Sequence, residues 1–327
     1  MKRIAITIVA FAFLLLTIPS IPTLFDGKFS VNENKATQDE AEISSYFKVL
    51  DVNSGKISNV NYRDYVIGAV MAEMPSSYHI EALKAQAVAA FTYALRQSEN
   101  ESISPTPELK GADFSNDSTH YQAYFSESEA KEKLGASYNE AYNHISEAVD
   151  AVYGKYLEYD GEPIAAAYHS ISNGTTESAK TVWGEDISYL QSTESGYDTS
   201  SPDYLHKEEF SADELKEKLL AFDSSTKFPD NPQEWIKINE ISDSGTVTEV
   251  QIGNKKISGT QFRSALNLRS ASFTVEYKDS KFVVTTKGYG HGVGLSQYGA
   301  NAMAFGGYTY DQILTHYYNG VEIKSIV

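Results

Sequence analysis

The sequence predicts an α+β fold in which helices and antiparallel strands surround a long substrate groove, behind an N-terminal transmembrane anchor. Three observations lead to this prediction. Apolar residues recur at spacings of three and four in residues 62–74, strand-like segments joined by short turns occupy much of residues 152–286, and an apolar run opens the chain. These patterns are typical of an amphipathic helix, of β-hairpins and of a membrane span.

The N-terminal segment has the pattern of a transmembrane anchor. Lys2 and Arg3 precede an apolar run over residues 4–24. This run is long enough to cross the hydrocarbon core, and the flanking positive charges favour a cytoplasmic N-terminus. We expect residues 1–25 to form a single-pass anchor in the cell membrane, with the remainder extracytoplasmic. A cleaved signal peptide is the alternative, although no small-x-small cleavage site follows the run. Residues 26–46 are polar and acidic, which predicts a tether.

The first predicted helix covers residues 62–75 and ends at Pro75, because the residue before a proline disfavours helical angles. Its apolar stripe consists of Tyr62, Tyr65, Val66, Ala69 and Val70. Glu73 continues this stripe in the last turn, at the negative end of the helix dipole. An apolar surface and the dipole both disfavour the carboxylate, so the pKa of Glu73 should be raised. A raised pKa is what a general acid needs near neutral pH, whereas an ordinary solvated glutamate is the alternative.

The second predicted helix follows immediately, with Ser76 or Ser77 as its cap. Its apolar face consists of Ile80, Leu83, Ala87, Val88, Phe91 and Leu95. Lys84 and Gln86 are polar positions on a helix of mostly small residues. Either side chain could face a groove or remain solvated.

The later elements are predicted from turn and cap signals. The segments 152–159 and 163–170 form a hairpin through Asp160-Gly161, and two more hairpins, 247–258 and 273–286, flank a short helix near 261–266. A capping box at residues 309–312 opens the last helix, which runs through Tyr317. The polar segments 97–137 and 187–235 are predicted to be long loops or an accessory lobe, which could extend over 187–260.

Two further segments offer groove contacts. Ser170 and Ser172 begin a hydroxyl-rich turn, which either contacts substrate or bonds to its own backbone. Residues 288–300 carry glycine at nearly every second position, with His291, Gln297 and Tyr298 among them. Such a segment lets a sugar ring approach closely, or simply turns the strand at 282–286 into a helix. A nucleotide loop is disfavoured because no Walker lysine follows.

Three motifs in this order resemble the stage II sporulation protein D family, which shares a domain with the amidase enhancer LytB. They are Ala72-Glu73-Met74-Pro75, the run Glu81–Ala90, and the glycine-rich run Gly288–Ala300. The resemblance covers residues 47–327. It implies a lytic transglycosylase that cleaves peptidoglycan glycan strands lacking stem peptides during engulfment of the forespore, with Glu73 as its catalytic residue.

The reaction that the resemblance implies can proceed with Glu73 as the one catalytic carboxyl group. Most glycosidases use two carboxyl groups, whereas a lytic transglycosylase can use one glutamic acid to form a 1,6-anhydro-N-acetylmuramic end. A non-catalytic glycan-binding module that enhances a cell-wall amidase is the alternative. Expected partners are glycan strands, a peptidoglycan amidase or endopeptidase, and a membrane scaffold of the engulfment machinery.

Two departures from the family pattern bear on the site. Phe91 occupies a position where many relatives have arginine, and Tyr121 stands where some relatives have a zinc-binding cysteine. His120 and His169 are weak candidates as metal ligands, since zinc normally takes four ligands of the cysteine or histidine type. We therefore expect no metal and no cofactor.

Composition excludes two classes of function. The 327 residues contain no cysteine, which excludes a disulfide scaffold and thiol chemistry. The formal net charge of −17 argues against nucleic-acid binding, because phosphates demand basic surfaces.

Replacing both Leu14 and Leu15 with aspartate should release the protein from membranes, because a charge at the bilayer centre costs about 2.5 to 3.5 kcal/mol. Membrane flotation of the full chain measures this release. A mature N-terminus near residue 25 would contradict the anchor and favour a cleaved signal peptide.

Overall fold

The computed structural model describes residues 45–326. The predicted anchor and all but the last two residues of the predicted tether lie outside this range. Among the helices within it, none combines the length and apolarity needed to cross a bilayer.

Helices and antiparallel sheets are interleaved along residues 45–326, as the α+β prediction requires. The helices are α1 (Tyr62–Glu73), α2 (Ile80–Ile103), α3 (Glu127–Leu134), α4 (Tyr138–Ala151), α5 (Ala179–Trp183), α6 (Ala212–Phe222), α7 (Gly259–Leu266), α8 (Gln297–Phe305) and α9 (Tyr310–Tyr317). The strands are β1 (Tyr46–Leu50), β2 (Ile57–Asn61), β3 (Phe114–Ser115), β4 (Lys155–Tyr159), β5 (Glu162–Pro163), β6 (Tyr168–His169), β7 (Leu205–Ser211), β8 (Ile236–Ile241), β9 (Val247–Ile252), β10 (Lys255–Ile257), β11 (Phe273–Lys278), β12 (Lys281–Lys287), β13 (Leu295–Ser296) and β14 (Glu322–Ser325).

The first two helices form where the apolar spacing predicts them. Asn61 caps α1 by accepting a hydrogen bond from the Arg63 N–H, and the predicted stripe is buried. The chain leaves α1 at Met74 in an extended conformation, as expected before Pro75. The predicted serine caps of α2 are wrong. His79 occupies the N-cap, and its Nδ1 accepts from the Glu81 N–H at 3.2 Å.

Two large hydrophobic cores organise these elements, and a small third cluster contains Leu50, Leu109 and Ala112. The first buries α1, α2, α4, α8 and α9 around residues such as Tyr65, Leu83 and Tyr317. The second lies within residues 210–284 and includes Leu215, Phe262 and Val284. Sheets of order β2-β1-β3 and β14-β4-β5 belong to the first core, and sheets β10-β9-β8 and β11-β12-β7 to the second.

The predicted hairpins are present. The Asp160-Gly161 turn has positive φ at both residues, 53° and 86°, and joins β4 to β5. Strand β9 pairs with β10, and β11 pairs with β12, both antiparallel. The predicted second strand of the first hairpin is shorter than expected, because β5 ends at Pro163, which cannot continue the ladder.

The prediction of long loops in the polar segments is wrong in part. Residues 97–137 contain the end of α2 and the whole of α3, and residues 187–235 contain β7 and α6. Five of the eleven residues of α6 are charged, and Leu215 and Leu219, one turn apart, are buried. A capping box between Ser211 and Glu214 fixes its start. The overall polarity of residues 187–235 did not predict this helix.

Residues 288–294, here called the glycine loop, connect β12 to β13 and α8. Strand β13 pairs parallel with β6, and Tyr289 forms an isolated antiparallel bridge with Ile171. Gly288, Gly290, Gly292 and Gly294 all have positive φ. The loop therefore needs glycine both for its backbone angles and for its close approach to residues 167–172.

Gly294→Ala should lower the free energy of unfolding by more than Gly161→Ala. Both glycines have positive φ, so both substitutions carry a strain of order 1–3 kcal/mol. Only at Gly294 would the added methyl group overlap a carbonyl oxygen, that of Ala167, whereas Gly161 has open space. Urea denaturation of the two variants measures the difference, and equal losses would show that the close approach contributes nothing.

Candidate active site

Glu73 is the last residue of α1, and its carboxyl group is largely buried. The Ala123 N–H donates to Oε1 at 3.1 Å, and the Gln297 side chain also hydrogen-bonds the carboxyl group. Burial raises the pKa of Glu73, and these two hydrogen bonds offset part of the rise. The net shift is upward, as the sequence predicts, and it increases the protonated fraction available to act as an acid.

Two glutamines meet beside Glu73. Gln297 opens α8, and Ser296 caps that helix by accepting from the Gly299 N–H. The Gln297 Nε2 donates to Gln86 Oε1 at 3.4 Å, so α8 and α2 are joined at this point. Gln86 is fully buried, and within residues 45–326 its Nε2 has no partner. A buried amide donor without a partner is costly in the free protein and could be satisfied by a ligand oxygen.

Phenol groups surround the acid. Gln122 donates to Tyr65 Oη at 2.8 Å and to the Ala90 carbonyl at 3.1 Å, and it accepts from Tyr168 Oη at 3.0 Å. Burial, and then the charge of Glu73, raises the pKa of the Tyr168 phenol. The sequence analysis did not select Gln122 or Tyr168. Position 122 falls in an aromatic segment without helical or strand periodicity, so only the fold reveals its closeness to Glu73.

His169 and His291 lie together at the glycine loop, with ring centroids 5.7 Å apart. His169 is buried and donates from Nδ1 to the Val293 carbonyl at 3.1 Å. His291 is partly buried, with Trp183 on another side at 5.4 Å, and its Nδ1 accepts from the Val293 N–H at 3.1 Å. Burial lowers the pKa of His169 to about 3 and that of His291 to about 4. Both rings are therefore neutral near pH 7.

His291 makes hydrogen bonds within the protein. Its Nδ1 accepts a hydrogen bond from the Val293 N–H, and the ring also hydrogen-bonds the backbone of Tyr168. These bonds hold the glycine loop against β6. A role in loop shape is therefore built into the structure, whether or not a sugar also contacts the ring.

The other candidates have internal partners. Lys84 pairs with Glu81 at 2.6 Å. Ser172 is buried, and its N–H donates to Asp198 Oδ2 at 2.9 Å while its Oγ accepts from Gly174. The Ser170 carbonyl accepts from the Tyr298 N–H at 3.0 Å. The hydroxyl-rich turn is thus tied to α8 and to Asp198, and the side chains of Ser170 and Tyr298 remain partly exposed.

A polar cleft of about 290 Å³ opens between the second core and the glycine loop. Its lining includes Asn173, Glu177, Ser272, Lys287 and His291. Several of these polar groups are bonded within the protein, since Asn173 Nδ2 donates to Ser272 Oγ and Ser242 Oγ donates to Glu177 Oε2.

Within the described part of the chain, histidines and acidic residues form no group of three that could hold a metal ion. His120 is exposed and lies 3.0 Å from Asp117 Oδ2. His169 is buried, and among the described residues its Nε2 has no partner.

Comparison with known proteins decides the family. The chain is 35% identical to the stage II sporulation protein D of Bacillus subtilis (strain 168) over 99% of this chain and 96% of that protein. This chain belongs to the stage II sporulation protein D family. The Bacillus amyloliquefaciens member is 38% identical over 84% of this chain and 78% of its own length. These proteins are named for a stage of sporulation.

The family models divide the chain close to the start of β5. Residues 51–159 match the model described as Stage II sporulation protein, and residues 162–294 match one described as Domain of unknown function (DUF8618). Glu73 lies in the first region and the glycine loop in the second. An amidase enhancer of Bacillus subtilis is 29% identical over 79% of this chain and 40% of its own length.

His291→Ala should lower the free energy of unfolding by roughly 1 to 3 kcal/mol at pH 7.5, the cost of a lost buried hydrogen bond. The folded pKa of about 4 lies below the unfolded value of 6.5, so the stability from neutral His291 is complete above pH 6.5 and is lost as pH falls towards 4. The difference between wild type and variant should therefore shrink by up to about 1.4 kcal/mol per pH unit below 6.5.

Denaturation from pH 7.5 to 4 measures this difference, with glycan binding on the same preparations. Unchanged stability with lost binding would instead assign His291 to the substrate.

Proposed function

We propose that this protein is a lytic transglycosylase that cleaves peptidoglycan glycan strands, preferably strands without stem peptides, to 1,6-anhydro-N-acetylmuramic ends. The observation that carries the proposal is the single glutamic acid at the end of α1. Glu73 is largely buried, its pKa is raised, and it contacts groups that can orient it. Membership of the sporulation family supplies the context of cell-wall remodelling.

The number of carboxyl groups favours this reaction over hydrolysis. Among residues 45–326, the pKa of Glu73 is influenced by burial, the Ala123 N–H and the Gln297 side chain, and no second carboxyl group contributes. Hydrolases of sugars generally need a second carboxylate as nucleophile or base. An intramolecular attack by the substrate removes that need.

The proposed step uses Glu73 twice. Its carboxylic acid donates a proton to the glycosidic oxygen, and the bond from that oxygen to C1 of N-acetylmuramic acid breaks. The resulting carboxylate accepts the proton of the C6 hydroxyl group as O6 bonds to C1. Glu73 is then protonated again, the leaving sugar carries a new hydroxyl group, and no water is consumed.

The surrounding residues suit this cycle. The Ala123 N–H and Gln297 hold the carboxyl group in place, and the Gln86 Nε2 is a donor without a partner among residues 45–326. Donors near the acid stabilise the charge that develops when the proton leaves. The surrounding tyrosine rings make the site less polar than water. A less polar site favours the protonated form of the Glu73 carboxyl group.

A second candidate function is a non-catalytic glycan-binding module that stimulates a wall amidase. The match to an amidase enhancer favours it. A binding module gains nothing from burying a carboxyl group, so the environment of Glu73 favours the enzyme. In either case we propose glycan strands as the ligand, with an amidase or endopeptidase and a membrane scaffold as partners.

We further propose that the protein acts outside the cytoplasm, held to the cell membrane by residues 1–25. The apolar run and its positive flank support this placement. The acidic net charge of −17 would limit unspecific adhesion to anionic wall polymers.

Glu73→Gln should abolish the formation of 1,6-anhydro ends from peptide-free glycan strands, because an amide keeps the shape of the acid but cannot donate its proton. We expect a loss of at least about 100-fold, the lower bound usual for a general acid. Mass spectrometry of the products measures it.

Glu99→Gln is the matched control, since desolvation also raises the pKa of Glu99 on α2. It should leave the rate unchanged. Hydrated reducing ends from the wild type would identify a hydrolase. Binding without cleavage by the wild type would favour the enhancer.

A further inference from the structure

Arg263 is a cation of the second core's helix α7 that has no carboxylate partner among residues 45–326. It is partly buried. Its Nε donates to the Leu268 carbonyl at 3.2 Å, which folds the side chain back over residues 267–272. Within residues 45–326, its terminal guanidinium nitrogens form no hydrogen bond or ion pair.

The segment over which Arg263 folds is joined to the glycine loop. The Gly290 N–H donates to the Arg269 carbonyl at 2.9 Å. This contact brings Arg263 close enough to His169 and His291 for its charge to lower the pKa of both rings. The same loop leads through β13 to Gln297, which hydrogen-bonds Glu73. Arg263 is thus linked to Glu73 through the glycine loop, β13 and Gln297.

The neighbouring Arg269 has the carboxylate and aromatic contacts that Arg263 lacks in the described part of the chain. Arg269 pairs with Asp203 at 3.3 Å and lies over the ring of Tyr289 at 5.3 Å. Desolvation lowers the pKa of Arg263, and Tyr289 alone opposes that shift. Removing a guanidinium from water without compensation is costly, so such a group commonly marks a site where an anion binds.

The chemistry of the proposed substrate supplies one anion of the right kind. Every N-acetylmuramic residue carries a lactyl group, whose carboxyl group is an amide when a stem peptide is attached and a free carboxylate when it is absent. The planar guanidinium forms paired hydrogen bonds with a carboxylate and cannot do so with the amide. Neutral His169 and His291 add no competing charge near Arg263.

We propose that Arg263 binds the free lactyl carboxylate of a peptide-free glycan strand and thereby selects such strands over peptide-bearing ones. This inference rests on the proposed function, since it assigns a substrate feature to the same groove. The selection acts through a favourable contact with the carboxylate and through an unpaired, partly buried charge when the carboxylate is replaced by an amide.

The test compares two substrates prepared from one batch of peptide-free strands, one untreated and one with its carboxyl groups converted to methylamides. The full-length wild type should cleave the untreated strands about 10- to 100-fold more efficiently, the range expected for one charged hydrogen-bonded pair. Arg263→Gln should cleave untreated strands less efficiently by this factor, and its efficiency on methylamide strands should not change. Arg263→Lys should retain part of the preference, because lysine keeps the positive charge but lacks the planar guanidinium that forms paired hydrogen bonds.

Arg269→Gln is the matched control, since it removes an arginine that already has a carboxylate partner, and the preference should persist. The melting temperature of Arg263→Gln should be unchanged or higher, because an uncompensated charge is removed. Equal cleavage of both substrates by the wild type would overturn the inference and leave the proposed function intact. An equal loss on both substrates in Arg263→Gln, with a lower melting temperature, would overturn it in favour of a structural role.

A different result is expected if the proposed function is wrong. If the wild type forms no 1,6-anhydro ends from either substrate, the proposal of transglycosylase activity is wrong. Binding of the two strand types to the full-length Glu73→Gln protein then decides the inference. Tighter binding of the untreated strands that depends on Arg263 supports it, and equal binding overturns it.

Discussion

The contact between the glycine loop and residues 167–177 is the constraint on which the rest of the structure depends. The Leu295 N–H donates to Ala167, Tyr289 and Ile171 exchange two backbone hydrogen bonds, and the Glu177 N–H donates to Gly292. Side chains on the glycines would prevent this approach. Because the loop touches the second core at one end and enters α8 at the other, one set of backbone bonds fixes both the cleft and the position of Gln297.

Desolvation is the electrostatic theme of the site. Glu73, His169, His291 and Arg263 all have pKa values shifted towards the neutral form, and burial is the largest cause in each case. The two histidines tolerate this by staying neutral near pH 7, and the raised pKa of Glu73 favours its protonated form. Arginine cannot do so, because its pKa remains above any physiological pH. The permanent positive charge of Arg263 therefore stands near two neutral histidines.

The sequence predicted local elements better than long-range contacts. Helix α1, the β9–β10 and β11–β12 hairpins and the capping box of α9 each carry a complete signal within a few residues, and all are confirmed. Helix α6 was missed because the prediction followed the polarity of the whole segment 187–235 and did not use the spacing of Leu215 and Leu219. At the site, the raised pKa of Glu73 followed from its place on the apolar stripe. Gln122 and Arg263 could not be foreseen, since their roles depend on residues distant in the chain.

The parallel pairing of β6 with β13 has a consequence for the order of folding. It joins Tyr168 to Leu295, so it can form only after nearly the whole chain is available. Until then α1 can pack against α2, but Gln297 and the rest of α8 are not yet beside Glu73. The complete environment of Glu73 is therefore assembled last.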